Sequence, residues 1–388
     1  MSHRIKKIPY GRQWVGAEEV RAVSKVLKSD YLTQGPKIVE FESALAKIVG
    51  AKYAVAVSNG TAALHLAALA LGLKPGDEVI STPMSFIATS NAVLYAGAKP
   101  VFADIDAETQ CIDPAEIRKK ITRRTKAIFF TDFAGHPADL KEIAKIAAQH
   151  HLKVVEDACH SLGGSYQGAP IGSCEYAAMT IFSFHPVKHI TTGEGGAIVT
   201  NDEELLVRLR DLRTHGVTRD PNKLFLKNEG PWYYEMQDLG YNYRLTDMQA
   251  ACGIEQLKKL KRFVARRRAI ATKYYDAFRD LAGVLTPAEV RGARHAYHLY
   301  VLRLDEPLAA KRKEIFEELL RRGIGVQVHY IPIPSQPYYR QRGYRAANCP
   351  RAQAYYRSAI SLPMFPKMTD AQVAFVIKTV KNAVRAYS

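Results

Sequence analysis

Short β-branched runs alternate with helical patterns from about residue 52 to residue 200, and this alternation constrains the fold most strongly. Seven runs predict strands: Tyr53–Val57, Glu78–Thr82, Pro100–Asp104, Ala127–Thr131, Val154–Asp157, Met179–Phe184 and Ala197–Thr200. Four segments between them predict helices: Thr61–Leu71, Ser85–Tyr95, Asp113–Lys119 and Ala138–His150. Continuous apolar strands are buried on both faces, as in a parallel sheet between helical layers. The sequence therefore predicts an α/β fold with a mainly parallel seven-stranded sheet.

The pattern changes after Leu245, where Asp247–Phe278 predicts one long basic helix. Beyond it we expect a strand at Leu299–Leu304, a helix at Ala309–Arg321, a strand at Gly325–Val328, a proline- and tyrosine-rich loop at Tyr330–Tyr344 and a final helix from about Thr369. A chain of 388 residues also exceeds one ordinary core. We predict a large α/β domain over residues 1–245 and a smaller α+β domain over residues 246–388.

Composition is typical of a soluble globular protein, with 47% hydrophobic and 24% charged residues. No apolar stretch follows the basic N-terminus, so we expect no signal peptide. The longest apolar run, Leu64–Leu73, falls short of the roughly 20 residues of a membrane span and predicts a buried helix. The five cysteines are scattered and never form a C-x-x-C pair, which favours reduced thiols and a cytoplasmic location.

The formal net charge is +17, and part of it is concentrated in Lys258–Arg268 and Lys311–Arg322. Both stretches carry apolar residues at helical spacing, so their cations are expected on solvated helix faces. No nucleic-acid-binding module accompanies the charge, and we expect neither a nucleic acid nor a membrane as partner. The positive field favours a small polyanionic substrate such as a nucleotide diphosphate.

Polar residues follow several predicted strands. These groups are Asn59–Thr61, Pro83–Phe86, Asp157–His160 and Ser183–Lys188. Ligands of parallel sheets bind beyond the carboxyl ends of the strands, so the four groups are predicted to form one site.

Lys188 and Asp157 indicate the chemistry of that site. Lys188 lies on a loop before the glycine-rich turn Gly193–Gly196, and Asp157 ends an apolar strand. Pyridoxal phosphate (PLP) requires a lysine for its Schiff base and a carboxylate that keeps its pyridine nitrogen protonated. The alternatives are a surface lysine on a turn and an aspartate that caps a helix.

Other residues at the strand ends also have two interpretations. Gly60 and Thr61 could hold a phosphate at a helix N-terminus, or form a turn in which Thr61 caps the helix. Phe86 could stack on the pyridine ring or belong to the core. His160 could bond the phenolic oxygen of the cofactor or be an ordinary loop histidine.

His185 and His189 have the spacing of a zinc-binding pair. Pro186 lies between them, and the glutamate of an H-E-x-x-H motif is missing, so we expect no metal site.

Six motifs, in this order, resemble those of the DegT/StrS family of sugar aminotransferases: Asn59-Gly-Thr-Ala-Ala, Pro83-x-Ser-Phe-x-Ala-Thr, Glu156-Asp-Ala, Ser183-Phe-x-x-x-Lys188, Gly193-Glu-Gly-Gly-Ala and Gly240-Tyr-Asn-Tyr-Arg-Leu-Thr-Asp-Met-Gln-Ala. The resemblance extends from Tyr31-Leu-Thr-Gln-Gly into the C-terminal region. Within the family, the sequence is most similar to the transaminases of pseudaminic acid biosynthesis. The positions that carry this similarity are His160, Ser183-Phe-His and Gln327-Val-His-Tyr330.

The resemblance implies a fold-type I PLP aminotransferase that works as a homodimer. It would move an amino group from L-glutamate to C4 of a UDP-linked 4-keto-6-deoxy-N-acetylhexosamine, or of another nucleotide-linked keto-sugar. A related sugar dehydratase has histidine in place of the lysine, so Lys188 argues against that reaction. A regulatory protein on the same scaffold would have lost cofactor groups that are intact here.

The resemblance also implies a role for each matching residue. Lys188 would form the Schiff base, Asp157 would pair with the pyridinium and Phe86 would stack on the ring, with His160 beside it. Phosphate contacts would come from Gly60, Thr61, Ser183 and, from the neighbouring subunit, Asn242. The sugar-nucleotide site would include Tyr10, Asp30, Tyr31, Leu32, Thr33, Gln327, Val328, His329, Tyr330 and Tyr338. Beside Asn242, Tyr243 stands where many relatives have a small residue, which is a departure from the family pattern.

Overall fold

The computed structural model describes residues 7–227 and 229–387. The expectation that no signal peptide is present concerns the N-terminus, and residues 1–6 lie outside the described part. The described residues form the α-helices α1 (Ala17–Leu27), α2 (Pro36–Val49), α3 (Gly60–Ala70), α4 (Ala88–Tyr95), α5 (Pro114–Lys120), α6 (Leu140–Gln149), α7 (Glu203–Arg213), α8 (Asp247–Phe278), α9 (Arg312–Arg321), α10 (Pro337–Arg340), α11 (Pro350–Ser358) and α12 (Asp370–Tyr387). Short 3₁₀-helices occur at Phe133–Gly135, Leu308–Lys311, Ile333–Ser335 and Ala346–Asn348.

The strands are β1 (Tyr53–Val57), β2 (Glu78–Ser81), β3 (Lys99–Phe102), β4 (Thr125–Thr131), β5 (Lys153–Asp157), β6 (Ser165–Tyr166), β7 (Ala169–Pro170), β8 (Met179–Ser183), β9 (Gly196–Thr200), β10 (Val217–Thr218), β11 (Glu235–Met236), β12 (Val284–Leu285), β13 (Ala293–Arg294), β14 (Tyr300–Leu304) and β15 (Ala359–Leu362). A seven-stranded sheet has the order β1-β9-β8-β5-β4-β2-β3. Its pairs from β8 to β3 are parallel, and β9 runs antiparallel to both of its neighbours. The predicted strands and the mainly parallel sheet are confirmed.

Both faces of this sheet are covered, as the apolar strands required. Helix α3 packs against β8 and β9 and lies between α4 and α7, which also contact the sheet, so it is buried along nearly its whole length. Helices α2 and α6 pack on the opposite face with the first half of α8. Within the described residues, no helix is both long and apolar enough to cross a membrane.

Local side chains set helix starts that the sequence pattern placed too early. Helix α6 begins at Leu140 rather than Ala138 because the Asp139 side chain accepts a hydrogen bond from the Glu142 N–H. Helix α4 begins at Ala88 rather than Ser85, after a turn in which Thr82 Oγ1 accepts a bond from the Met84 N–H.

Helix α8 spans 32 residues, as predicted, and connects two cores. Thr246 and Gln249 form a capping box at its start. Its first half packs through Leu257 and Val264 under the seven-stranded sheet. Its second half packs in another core with α9, α12 and the antiparallel sheet β12-β14-β15. The domain boundary at residue 245 stays a prediction.

The predicted strand at Gly325–Val328 is wrong. Ile324 forms a single bridge to Ile8, whereas Gln327 forms a single bridge to Ser361 at the edge of the β12-β14-β15 sheet. Because the segment changes partner within three residues, no continuous ladder forms. The predicted loop Tyr330–Tyr344 contains the short helix α10 and a 3₁₀ turn.

A buried ion pair joins three elements near one end of the seven-stranded sheet. Glu42 of α2 is 5% exposed and accepts bonds from the Ala56 N–H of β1 (2.8 Å) and from Arg213 Nη1 of α7 (2.6 Å). The same Arg213 nitrogen donates to the Ala56 carbonyl (2.8 Å).

We expect Glu42→Ala to lower the free energy of unfolding by about 3–5 kcal/mol, because it leaves the mostly buried Arg213 cation without its carboxylate and the Ala56 N–H without this acceptor. Urea unfolding measures the loss. Glu40→Ala is the matched control on α2, since the Lys37–Glu40 pair is largely exposed and should contribute less than about 1 kcal/mol. Equal losses for the two variants would contradict the assignment.

Candidate active site

A cavity of about 810 Å³ opens beyond the carboxyl ends of β4, β5 and β8. Ten of the residues predicted for the site line it: Tyr10, Gly60, Thr61, Phe86, Asp157, His160, Ser183, Lys188, His329 and Tyr330. Residues far apart in the sequence therefore meet where a parallel sheet binds its ligands.

Lys188 lies on a compact loop after β8. Its N–H donates to the His185 carbonyl (2.9 Å), and the Phe184 N–H donates to the Gly195 carbonyl (2.8 Å) within the glycine-rich turn. Burial lowers the pKa of Lys188; Cys159 and Asp157 raise that pKa, and Arg267 lowers it further. The lysine is thus partly buried in the cavity wall, and its amine loses its proton more easily than that of an exposed lysine.

Asp157 ends β5 as a buried carboxylate, 6% exposed. Its Oδ2 accepts bonds from Thr89 Oγ1 (2.6 Å) and Thr131 Oγ1 (3.4 Å), and its Oδ1 accepts one from the Cys159 N–H (3.2 Å). No basic side chain forms an ion pair with it in the described part of the chain, and no helix begins after it. Helix capping is therefore excluded, and the carboxylate is available to a cationic ligand.

The opposite side of the cavity suits an anion. Asn59, not Thr61, caps α3, because its side chain accepts a bond from the Ala62 N–H (2.8 Å). A Cβ atom at Gly60 would lie 3.0 Å from Ser183 Cβ and 3.5 Å from Cys159 Sγ, so this close approach favours glycine. The free N–H groups at the start of α3 and the Ser183 hydroxyl form an anion-binding cradle.

Aromatic and imidazole side chains line the remaining wall. Phe86 is 56% exposed, with its ring 6.3 Å from that of Tyr330. His160 Nε2 lies 3.2 Å from the Tyr330 hydroxyl, and its ring lies 4.5 Å from that of His298. Burial lowers the pKa of His160 well below its ordinary value, and burial and Lys188 lower that of His329 to about 4. These imidazoles are therefore neutral at physiological pH.

The residues present fit the cofactor that the sequence predicted. A buried carboxylate without a cation suits a protonated pyridine nitrogen, and the start of α3 with Ser183 suits a phosphate. Lys188 lines the same cavity as both groups and has no hydrogen-bonding or ionic partner for its amine among the described residues.

Several predicted substrate residues lie outside this cavity. Val328 and Tyr338 line an adjoining cavity of about 750 Å³, which shares Phe86 and Tyr330 with the first. Tyr31 lines a separate groove beside α1, α2 and α8. The remaining residues line neither cavity of their own chain: Asp30, Leu32, Thr33, Gln327 and the exposed Asn242. Their roles stay predictions.

Sequence reasoning gave no role to several residues of the site. Thr89 binds Asp157 and was visible only as the last residue of the motif that begins at Pro83. Thr131 ends β4 beside Asp157, so its position at a strand end could have indicated it. His298 comes from a region with no signal at all. His189 is buried against the Ala296 carbonyl while His185 is exposed, and the described residues contain no cluster suited to a metal ion.

Comparisons with known proteins agree with this geometry. Residues 13–381 match the model of the DegT/DnrJ/EryC1/StrS aminotransferase family. The spore coat polysaccharide biosynthesis protein SpsC of Bacillus subtilis is 43% identical over 97% of each chain. Among solved structures, Helicobacter pylori PseC, an aminotransferase involved in the biosynthesis of pseudoaminic acid, has a TM-score of 0.92 at 33% identity, covering 98% of this chain and 100% of its own.

Spr1654 of Streptococcus pneumoniae, solved in a PLP form, also has a TM-score of 0.92, at 29% identity, over 98% of this chain and 100% of its own. These likenesses confirm the predicted fold class. The family match over nearly the whole chain shows that the protein is an aminotransferase and belongs to the DegT/DnrJ/EryC1/StrS family.

Proposed function

We propose that this aminotransferase uses PLP to transfer an amino group from L-glutamate to C4 of a UDP-linked 4-keto-6-deoxy-N-acetylhexosamine. The observation that carries the proposal is a single cavity lined by Lys188, the unpaired Asp157 carboxylate and the cradle at Gly60, Thr61 and Ser183. When bound, PLP supplies an electron sink that stabilises negative charge on the carbon attached to the transferred nitrogen.

Lys188 and Asp157 would have distinct roles. The neutral Lys188 Nζ would take a proton from the α-carbon of the amino donor, and its lowered pKa makes the neutral form accessible. Asp157 would keep the pyridine nitrogen protonated, and its bonds from Thr89 and Thr131 hold its carboxylate in one orientation. His160, neutral and beside Tyr330, is suited to bond a phenolic oxygen.

The two adjoining cavities support a substrate with a sugar and a nucleotide. Tyr10, His329 and Tyr330 would contact the sugar in the first cavity. His329 Nδ1 lies 2.8 Å from Ser361 Oγ, which fixes its ring. The second cavity offers Tyr338 to a nucleotide base, and Arg342 stacks on that ring at 3.5 Å, which adds positive charge for a diphosphate. The likeness to PseC supports a sugar of pseudaminic acid biosynthesis, whereas the likeness to SpsC, a spore coat polysaccharide biosynthesis protein, supports a different sugar.

Exposed apolar residues support a homodimer. The segment before Asn242 carries Phe225, Trp232 and Leu239, which are 88%, 72% and 77% exposed. Surfaces of this kind are typical of protein contacts. In a homodimer Asn242 would reach the phosphate cradle of the neighbouring subunit, which agrees with its exposure and its absence from the cavity of its own chain.

Substrate identity is tested with a panel of nucleotide-linked 4-keto-6-deoxysugars, L-glutamate and purified enzyme, with products read by mass spectrometry. We expect a new amine on the UDP-linked N-acetylated sugar and none with Lys188→Ala. Amination of a different nucleotide sugar alone would favour the SpsC-like alternative. No amination of any panel member by PLP-loaded enzyme would contradict the proposal.

Asp157→Asn should leave covalent attachment of PLP to Lys188 intact but lower turnover by at least about 100-fold, because an amide does not favour the protonated ring nitrogen. Borohydride reduction followed by peptide mass spectrometry locates the attachment, and steady-state kinetics gives turnover. Asp104→Asn, a buried aspartate that accepts bonds from the N–H groups of Arg351 and Ala352, is the control and should retain turnover. Near-normal turnover in folded Asp157→Asn would refute the role of Asp157.

Mixed dimers test the shared site. Homodimers of Lys188→Ala and of Asn242→Ala should each be impaired at both sites. A heterodimer of the two variants should have one site with both lesions and one with none, so co-expression should raise activity above either parent. If each site were built from one chain, every site of a purified heterodimer would carry one lesion, and its activity would not exceed that of either parent. That result contradicts the shared site provided that the Asn242→Ala homodimer is itself impaired.

A further inference from the structure

Arg267 of α8 is completely buried, with 0% of its side chain exposed. Its Nη1 donates to the carbonyls of Tyr297 (3.3 Å), His298 (3.1 Å) and Met364 (2.9 Å), and its Nη2 donates to that of Val187 (3.3 Å). Among the described residues no carboxylate forms an ion pair with it. Its hydrogen bonds go to backbone oxygens, so its positive charge is solvated but not neutralised.

Such an arrangement is costly, because a buried cation loses its hydration and usually recovers it through a carboxylate. Burial lowers the pKa of Arg267, but a guanidinium keeps its proton in proteins, so Arg267 stays a cation over the range in which Lys188 titrates. An apolar side chain of similar size would avoid that cost but would leave four carbonyls without this donor. The contacts of the guanidinium indicate the structural role of this buried charge.

The four carbonyls belong to segments that build the active-site cavity and its support. Val187 immediately precedes Lys188, and both line the cavity. His298 lines it too, with its ring against that of His160. A second bond, between His189 Nε2 and the Ala296 carbonyl (3.2 Å), joins the same two segments. Arg267 therefore lies directly behind the loop that carries Lys188.

We propose that Arg267 is a positioning residue for Lys188: its guanidinium fixes the backbone on which Lys188 stands and provides an unneutralised positive charge behind the amine. The role of Lys188 as a base rests on the proposed function, whereas the effect of Arg267 on the Lys188 amine can be measured without it.

The charge acts in a defined electrostatic setting. The ionisable groups that influence Lys188, or are influenced by it, are Asp157, Cys159, Arg267, His160, His189, His298 and His329. Burial lowers the pKa of each of these histidines, so they are neutral near pH 7. Asp157 favours the protonated amine, and Arg267 is the permanent cation of the set that opposes it.

The experiment measures the Lys188 amine in cofactor-free protein. The rate of Lys188 acetylation by acetic anhydride is followed against pH by peptide mass spectrometry, with exposed Lys378 as internal standard. Arg267→Gln should raise the midpoint pH of the Lys188 acetylation profile by about one unit. At a fixed pH below that midpoint, this shift lowers the acetylation rate about tenfold. Arg262→Gln removes the same charge from an exposed position on α8 and should leave the midpoint unchanged.

Arg267→Lys separates position from charge. It keeps a cation but has too few donors for four carbonyls. Hydrogen exchange in the segment 184–190 should therefore accelerate, although a cation remains at this position near neutral pH. Wild-type exchange in this variant would overturn the positioning role, and an unchanged midpoint in folded Arg267→Gln would overturn the charge role.

If Arg267→Gln does not fold, Arg267→Lys also decides the charge role. A buried lysine loses its proton at an accessible pH, so Lys188 should then titrate in two coupled steps. A single step at the wild-type midpoint would overturn the charge role. The acetylation and hydrogen-exchange measurements need neither PLP nor substrate. A failure of the proposed function would be seen separately, as no attachment of PLP to Lys188, so it is distinguishable from a failure of this inference.

Discussion

The register of three parallel strands is the constraint on which the site depends. Thr131 of β4 lies opposite Asp157 of β5, and Asp157 lies opposite Ile181 of β8, two residues before Ser183. Because parallel strands end at the same edge, this register puts a threonine, a carboxylate and a serine side by side without any long loop. A shift of one residue would turn Asp157 to the other face of the sheet.

Helix α8 connects the two cores of the molecule. Its first half is fixed under the large sheet, and its second half belongs to the core formed with α9 and α12. Arg267 lies between the two halves and binds carbonyls from the Lys188 loop and from Met364 in the C-terminal region. The element that joins the cores therefore also supports the loop that carries Lys188.

Features that depend on the local residue pattern were predictable from the sequence, whereas features that depend on contacts with distant segments were not. All seven sheet strands were predictable, because apolar β-branched runs between helices have few other folds. The strand at Gly325–Val328 was wrong because its pairing is decided by Ile8 and Ser361, which no local pattern reveals. The meeting of Lys188 and Asp157 in one cavity was predictable, because Asp157 ends a strand and Lys188 lies on the loop after another strand. Their roles stay predictions. The bond from Thr89 to Asp157 and the approach of His298 required the folded chain.

The charges of the cavity are complementary to a ligand rather than to one another. Among the described residues Asp157 is buried without a basic partner, His160, His298 and His329 are neutral near pH 7, and the start of α3 presents unpaired N–H groups. In a self-sufficient structure such groups would pair, because each one unpaired raises the free energy of the fold. A ligand with a cationic ring nitrogen and an anionic phosphate would satisfy both ends of the cavity. Binding of that ligand should therefore stabilise the fold as well as supply the chemistry.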